Sequence, residues 1–219
     1  MRDKCSLYEG KRKLRILEGV CKRALTKISR KYGGEQLGKK SIMKNVVLTG
    51  FMGTGKTSVG RILAARLNKP FIDVDKKIEI ENKMSISEIF EKYGESHFRQ
   101  IESDVIARLS RHTNMVIATG GGTVLRRENR IRLMKNGIII SLIASVGTIE
   151  ERTSFGRRPL LDTGTSRRDA ISALLEKRSH LYEQAEYIID TSGYSPQYAA
   201  EKIIIFLREA GYLRGRSFD

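Results

Sequence analysis

The sequence predicts an α/β domain built on a parallel β-sheet with helices covering both faces. Three observations lead there. Short continuous apolar runs, such as Val46-Val47-Leu48 and Ile138-Ile139-Ile140, alternate with segments whose apolar residues recur at helical spacing. The apolar runs lack the polar alternation of a half-exposed sheet, so both of their faces are buried. Their carboxyl ends deliver Gly50, Asp73 with Asp75, Gly120-Gly121-Gly122 and Asp190-Thr191, and ligands gather at the carboxyl ends of the strands in open parallel sheets.

In chain order, residues 45–49 form the first strand and run into a glycine-rich loop. Val59, Ile62, Leu63 and Leu67 mark a helix over 56–67, and residues 71–73 a short second strand. Ile86, Ile89, Phe90 and Tyr93 share one helix face as far as Gly94, and Phe98, Ile101, Val105 and Leu109 share the next. Residues 115–118 are the third strand. Ile131, Leu133 and Met134 belong to a short helix closed by Asn136-Gly137, ahead of a fourth strand over 138–142. An arginine-rich stretch over 152–168 precedes a helix with Ile171, Leu174, Leu175 and Tyr182, and residues 187–190 make the fifth strand. Ser195-Pro196 then caps a last helix with Ala199, Ile203, Phe206 and Leu207 on its core face.

Composition narrows the classes of function. No apolar run approaches the roughly 20 residues of a membrane span, and no hydrophobic secretory segment opens the chain, so the cytoplasm is the expected location. Cys5 and Cys21 have neither metal-ligand spacing nor a disulfide framework. The net charge of +16 is uneven: residues 1–43 carry 13 Lys/Arg against 4 Asp/Glu, and the rest 28 against 21. Residues 11–32 read as a basic amphipathic helix with Leu14, Leu17, Cys21, Ala24 and Ile28 on one face, ended by Gly33-Gly34. A boundary is expected near Met43, separating an extension over 1–42 from the domain over 43–219. The extension reads as a dispensable addition, as a helix for a partner or membrane surface, or as a transit peptide interrupted by Asp3, Glu9 and Glu18. Nucleic-acid binding is not expected, because Tyr8 and Tyr32 are the only aromatic residues there to stack on bases.

The chemistry concentrates in a few motifs. Gly50-Phe51-Met52-Gly53-Thr54-Gly55-Lys56-Thr57 has the spacing of a phosphate-binding loop, between a strand and a helix as the motif requires. Its glycines let backbone N–H groups face an anion, Lys56 supplies charge for the β- and γ-phosphates, and the Thr57 hydroxyl suits Mg²⁺. Asp73 and Asp75, one residue apart, fall on one side of an extended backbone. There one can hold Mg²⁺ through water and the other accept a hydroxyl proton, whereas Asp75 alone also reads as a helix N-cap. Arg99 and Glu102 are adjacent on a helix, a spacing whose usual meaning is a surface ion pair. Gly120-Gly121-Gly122 reads as a place where backbone N–H groups approach a ligand rather than as a packing device. Arg178 lies on an otherwise apolar helix face and is expected to meet a carboxylate.

Taken together, GFMGTGKTSVG, FIDVD, FRQIE, TGGG, RRPLL and KRSHLY, in this order over residues 44–210, resemble the shikimate kinase family. The resemblance implies the nucleoside monophosphate kinase branch of the P-loop proteins, with strand order 2-3-1-4-5. It also implies a monomeric enzyme that transfers the γ-phosphate of ATP to the 3-hydroxyl of shikimate with Mg²⁺, on the route to chorismate and the aromatic amino acids. By the same resemblance Gly53, Thr54, Gly55, Lys56, Thr57 and Ser58 bind the nucleotide, Thr57 and Asp73 serve the metal, and Asp75 binds the shikimate hydroxyls and is the base. Arg99, Arg178 and Gly120, Gly121 and Gly122 bind shikimate, and Glu102 orients Arg99. Arg158 closes over the phosphates from a lid and Arg152 approaches the nucleotide. The stretch 152–168 suits a lid, with Gly156, Gly164, five arginines and Asp162 as its acidic residue.

This sequence departs from the family pattern in a slightly shorter segment over 152–158, in His97, which reads as a surface residue, and in the extension before Met43. A kinase of another polyol, such as gluconate, shares the phosphate loop, but Arg99, the triple glycine and Arg178 favour a carboxylated ring. A nucleotide-binding protein without catalysis is the alternative of a different class, and the presence of lysine, base and lid arginine together argues against it.

Overall fold

The computed structural model describes residues 44–154, 160–161 and 166–213. The basic extension over 1–42, and Gly156, Arg158, Asp162 and Gly164 of the arginine-rich stretch, lie outside them. One compact unit spans Ile42–Leu207, and beyond it the described residues complete the last helix and its closing turn.

Five parallel strands, β1 (Asn45–Thr49), β2 (Phe71–Asp73), β3 (Val116–Ala118), β4 (Gly137–Ile143) and β5 (Tyr187–Asp190), form one sheet in the order β2-β3-β1-β4-β5. The α/β class and the strand order that the resemblance implied are both found. Central β1 is buried along its whole length, as its unbroken Val46-Val47-Leu48 run requires. Val47, Ile117 and Ile139 of the three middle strands share a core with Val74 and Ile78 of α2 (Val74–Asn82), with Phe98, Val105 and Ile106 of α3 (Ile86–Leu109), and with Leu133 of α4 (Arg127–Asn136). Leu48, one residue on, faces the opposite layer and reaches Gly60 of α1 (Lys56–Leu67). A second core joins Phe51 of the phosphate loop to Ile149 of α5 (Val146–Arg152), to Ile171 and Tyr182 of α6 (Arg167–Tyr182), and to Leu161. The loop is therefore braced by apolar packing as well as by its own hydrogen bonds. The last helix, α7 (Pro196–Glu209), starts where Ser195 Oγ accepts the Tyr198 N–H at 3.2 Å. No helix among the described residues is long and apolar enough to cross a membrane.

Two local readings need correction. Asp73 and Asp75 do not alternate along an extended strand: β2 ends at Asp73, and Asp75 is already in the first turn of α2. The N-cap is Asp73, whose carboxylate accepts the Lys76 N–H at 3.2 Å, because its extended backbone (φ −96°, ψ 117°) points the side chain back at the helix amides. Helix α3 starts with a capping box between Ser85 and Glu88 and is broken once, at Gly94. Gly94 has φ 78° and ψ 170°, and a Cβ there would meet nothing within 4 Å, so its dihedral and not its space demands glycine. The two helix faces read on either side of Gly94 are thus two halves meeting at a kink.

Candidate active site

Strand β1 delivers the phosphate loop into the start of α1. A Cβ at Gly50, which has φ 135°, would fall 2.1 Å from the Leu142 carbonyl oxygen, so no other residue can leave the strand along this path. Thr54 is buried, and its hydroxyl closes the loop by donating to the Phe51 carbonyl at 2.7 Å. Lys56 Nζ donates to the Gly50 and Phe51 carbonyls at 2.9 and 2.7 Å, so the cation crosses the loop mouth. Gly55 starts α1 with no side-chain cap and no acidic residue in the first turn, which keeps the positive end of the helix dipole open to an anion. Thr57 and Ser58 are exposed on that first turn.

Thr57 Oγ1 donates to Asp73 Oδ2 at 2.6 Å, across from α1 to the end of β2. A hydroxyl and a carboxylate held together beside Lys56 are the oxygen donors a Mg²⁺–phosphate complex needs. Asp75 lies deeper. Burial first, and then the neighbouring Glu102, push its carboxyl up to about 6, against the opposing pull of Lys56 and Arg99. A carboxylate with that value is ionised at neutral pH yet more basic than an ordinary aspartate.

Arg99 and Glu102 form a buried pair rather than a surface one. Arg99 is 7% exposed and Glu102 0%, and NH1 donates to Glu102 Oε2 at 3.0 Å. The second oxygen of Glu102 accepts the Thr123 hydroxyl. Glu95 takes the other edge of Arg99, its Oε1 accepting from Nε at 3.2 Å and NH2 at 3.0 Å. Burial opposes the charge of Arg99, but Glu102 and Glu95 more than compensate and raise its pKa above the ordinary value.

The triple glycine makes room for this cluster, contrary to the reading that packing plays no part. A Cβ at Gly120 would lie 2.5 Å from Asp75 Oδ1 and 2.8 Å from Glu102 Oε1, and one at Gly122 would lie 2.4 Å from the Arg99 guanidinium. At Gly121 a Cβ would lie 3.2 Å from the Met52 N of the phosphate loop. None of the three has positive φ, so the glycines provide space for side chains and not unusual dihedrals.

Arg178 meets no carboxylate among the described residues. It is 7% exposed, stands one helical turn before Tyr182, and buries its NH1 with no partner among the described residues. Tyr182 Oη donates to the Gly121 carbonyl at 2.7 Å, and burial pushes the phenol up to about 12. Both Arg178 and Arg99 act electrostatically on that phenol, and Arg99 lies against Gly122 while Tyr182 binds the adjacent Gly121 carbonyl. At the other rim Arg152 donates to the Thr191 carbonyl at 2.9 Å and to the Gly53 carbonyl at 3.4 Å. Thr191 Oγ1 in turn donates to the Thr54 carbonyl at 3.0 Å, tying the end of β5 to the phosphate loop.

Comparison with known proteins shows the family. The sequence profile described as "Shikimate kinase" matches residues 52–208. The chain belongs to the shikimate kinase family. The shikimate kinase of Thermodesulfovibrio yellowstonii is 52% identical over 163 residues, covering 74% of this chain and 94% of the relative. That of Pelotomaculum thermopropionicum is 45% identical, covering 78% and 99%. Among solved structures, the shikimate kinase of Acinetobacter baumannii in complex with shikimate superposes with a TM-score of 0.75 at 36% identity, covering 78% of this chain and 96% of that one. The chain is therefore an ATP-dependent phosphotransferase of this family.

Sequence reasoning missed Glu95, Thr123 and the Tyr182 hydroxyl as members of the site. Glu95 stands four residues before Arg99, a helical ion-pair spacing that could have found it. Thr123 and Tyr182 carried no such signal, since their partners Glu102 and Gly121 are 21 and 61 residues away.

Proposed function

We propose that residues 43–219 form the kinase domain and that it transfers the γ-phosphate of MgATP to the 3-hydroxyl of shikimate. The observation that carries the choice of a carboxylated acceptor is the buried Arg178 NH1, without a partner among the described residues. A buried guanidinium donor left unpaired is costly, and a substrate carboxylate relieves that cost.

In this reading Arg178 and Arg99 hold the carboxylate, Glu102 and Thr123 hold Arg99, and Gly120, Gly121 and Gly122 leave room for both clusters. The ring hydroxyls are thereby directed at Asp75, which orients the attacking oxygen and takes its proton as the bond to phosphorus forms. Lys56 and the amides at the start of α1, with Gly53, Thr54, Gly55 and Ser58, receive the phosphates. Thr57 directly, and Asp73 through water, would hold Mg²⁺, which when bound neutralises charge on the β- and γ-phosphates. Arg152 lines the nucleotide side of the loop, and Arg158 has the place of the lid arginine by resemblance.

A coupled assay of ADP release tests this. Turnover is expected only when shikimate, ATP and Mg²⁺ are all present. Turnover with gluconate but not with shikimate would overturn the assignment of the acceptor.

A further inference from the structure

We propose that Glu95 is a built-in stand-in for the substrate carboxylate: it occupies the binding edge of Arg99 in the free enzyme and must be displaced for the acceptor to bind. This rests on the reading that Arg99 and Arg178 clamp a carboxylate, and it adds a residue that sets how stringently they do so.

The two carboxylates on Arg99 are held very differently. Glu102 is fully buried, and its oxygens are shared between Arg99 NH1 and the Thr123 hydroxyl. It is a fixed support. The Glu95 side chain is 47% exposed and touches Arg99 through one oxygen, which accepts from both Nε and NH2. The Nε and NH2 donors form the fork that a carboxylate engages with two oxygens in parallel. Glu95 therefore fills the better edge of Arg99 with the poorer geometry, and a ligand that brings both oxygens improves on it.

Release of Glu95 is cheap for two reasons. It is the first residue after the break at Gly94, so one non-helical dihedral already separates it from the preceding half of α3. It also begins the second half of that helix, where a negative charge is favoured without a specific partner. Arg178 differs, because its NH1 has no partner to give up. One arginine of the pair is open and the other is gated. A ligand that offers a carboxylate alone must compete with Glu95, whereas one whose hydroxyls also reach Asp75 gains enough to displace it.

The test uses the full chain with Glu95→Gln and Glu95→Ala, alongside Arg178→Ala. Initial rates are measured against shikimate at saturating MgATP and against ATP at saturating shikimate, with benzoate as a probe for a bare ring carboxylate. Both Glu95 variants are expected to lower the KM for shikimate by up to about fivefold, the range that a partly exposed ion pair supplies. The inhibition constant for benzoate should fall by a similar factor, with the KM for ATP unchanged. A shikimate KM that stays the same or rises in both variants overturns the stand-in role, since Glu95 would then support Arg99 as Glu102 does. If Arg178→Ala binds shikimate as well as the parent, the clamp itself fails, and that result is separate from any effect at Glu95.

Discussion

The Thr57 hydroxyl donates to the Asp73 carboxylate at 2.6 Å, so the first turn of α1 and the end of β2 meet at the proposed metal site. Asp73 also caps α2 by accepting the Lys76 N–H. Asn at 73 preserves a cap acceptor but loses the charge. Asp73→Asn should therefore leave the fold and the shikimate KM intact and raise the Mg²⁺ concentration for half-maximal rate by about tenfold or more. A Mg²⁺ titration of the rate that does not move would remove Asp73 from the metal site.

Asp75, with its pKa near 6, should give kcat/KM an acid limb there, the rate rising as pH increases and the base ionises. Asp75→Asn should abolish that limb and cut kcat by about 100-fold or more, with ATP binding retained. A normal turnover number in this variant would exclude Asp75 as the base.

The same residue affects stability with a definite sign. Its folded pKa is raised above the ordinary value of 3.8 to about 6, so the folded state binds more protons than the unfolded one between those values. Stability contributed by this group is present below about pH 4 and declines as pH rises through 6. Without ligands, Asp75→Asn should be more stable than the parent at pH 7 by about 1 to 3 kcal/mol, and the difference should vanish near pH 4. Urea unfolding at the two pH values decides it.

The triple glycine separates its two outer positions by function. Gly122→Ala places a methyl group against the Arg99 guanidinium and Gly120→Ala places one against Asp75 Oδ1. The first should chiefly raise the KM for shikimate, by about tenfold or more, and the second should chiefly lower kcat, as expected for a misplaced base. Equal effects of both on both constants would mean that the glycines matter only for folding.

Arg178→Met should raise the KM for shikimate by about 100-fold with little cost in thermal stability, because the guanidinium it removes buries an unpartnered NH1. A variant that loses stability and keeps its affinity would show that Arg178 is a structural residue.

The sequence by itself determined the sheet, its five strands, the phosphate loop and the family, because these follow from local patterns: unbroken apolar runs, helical spacing, and glycines at set distances from Lys56. It also supplied the residues of the candidate site, through motifs whose order along the chain carries the family resemblance. Tertiary structure decided how those residues are used. The buried Arg99–Glu102 pair is completed by Thr123 arriving from another element, and Arg178 keeps an open donor because no carboxylate among the described residues reaches it. The roles of Asp73 and Asp75 turned on where β2 stops and α2 begins, which is set by a side chain capping an amide three residues on. The three glycines read alike in sequence, yet one accommodates Asp75 and Glu102, one the phosphate loop and one Arg99. Spacing along the chain records which groups are available, whereas burial, exclusion and orphaned donors arise only when distant segments pack.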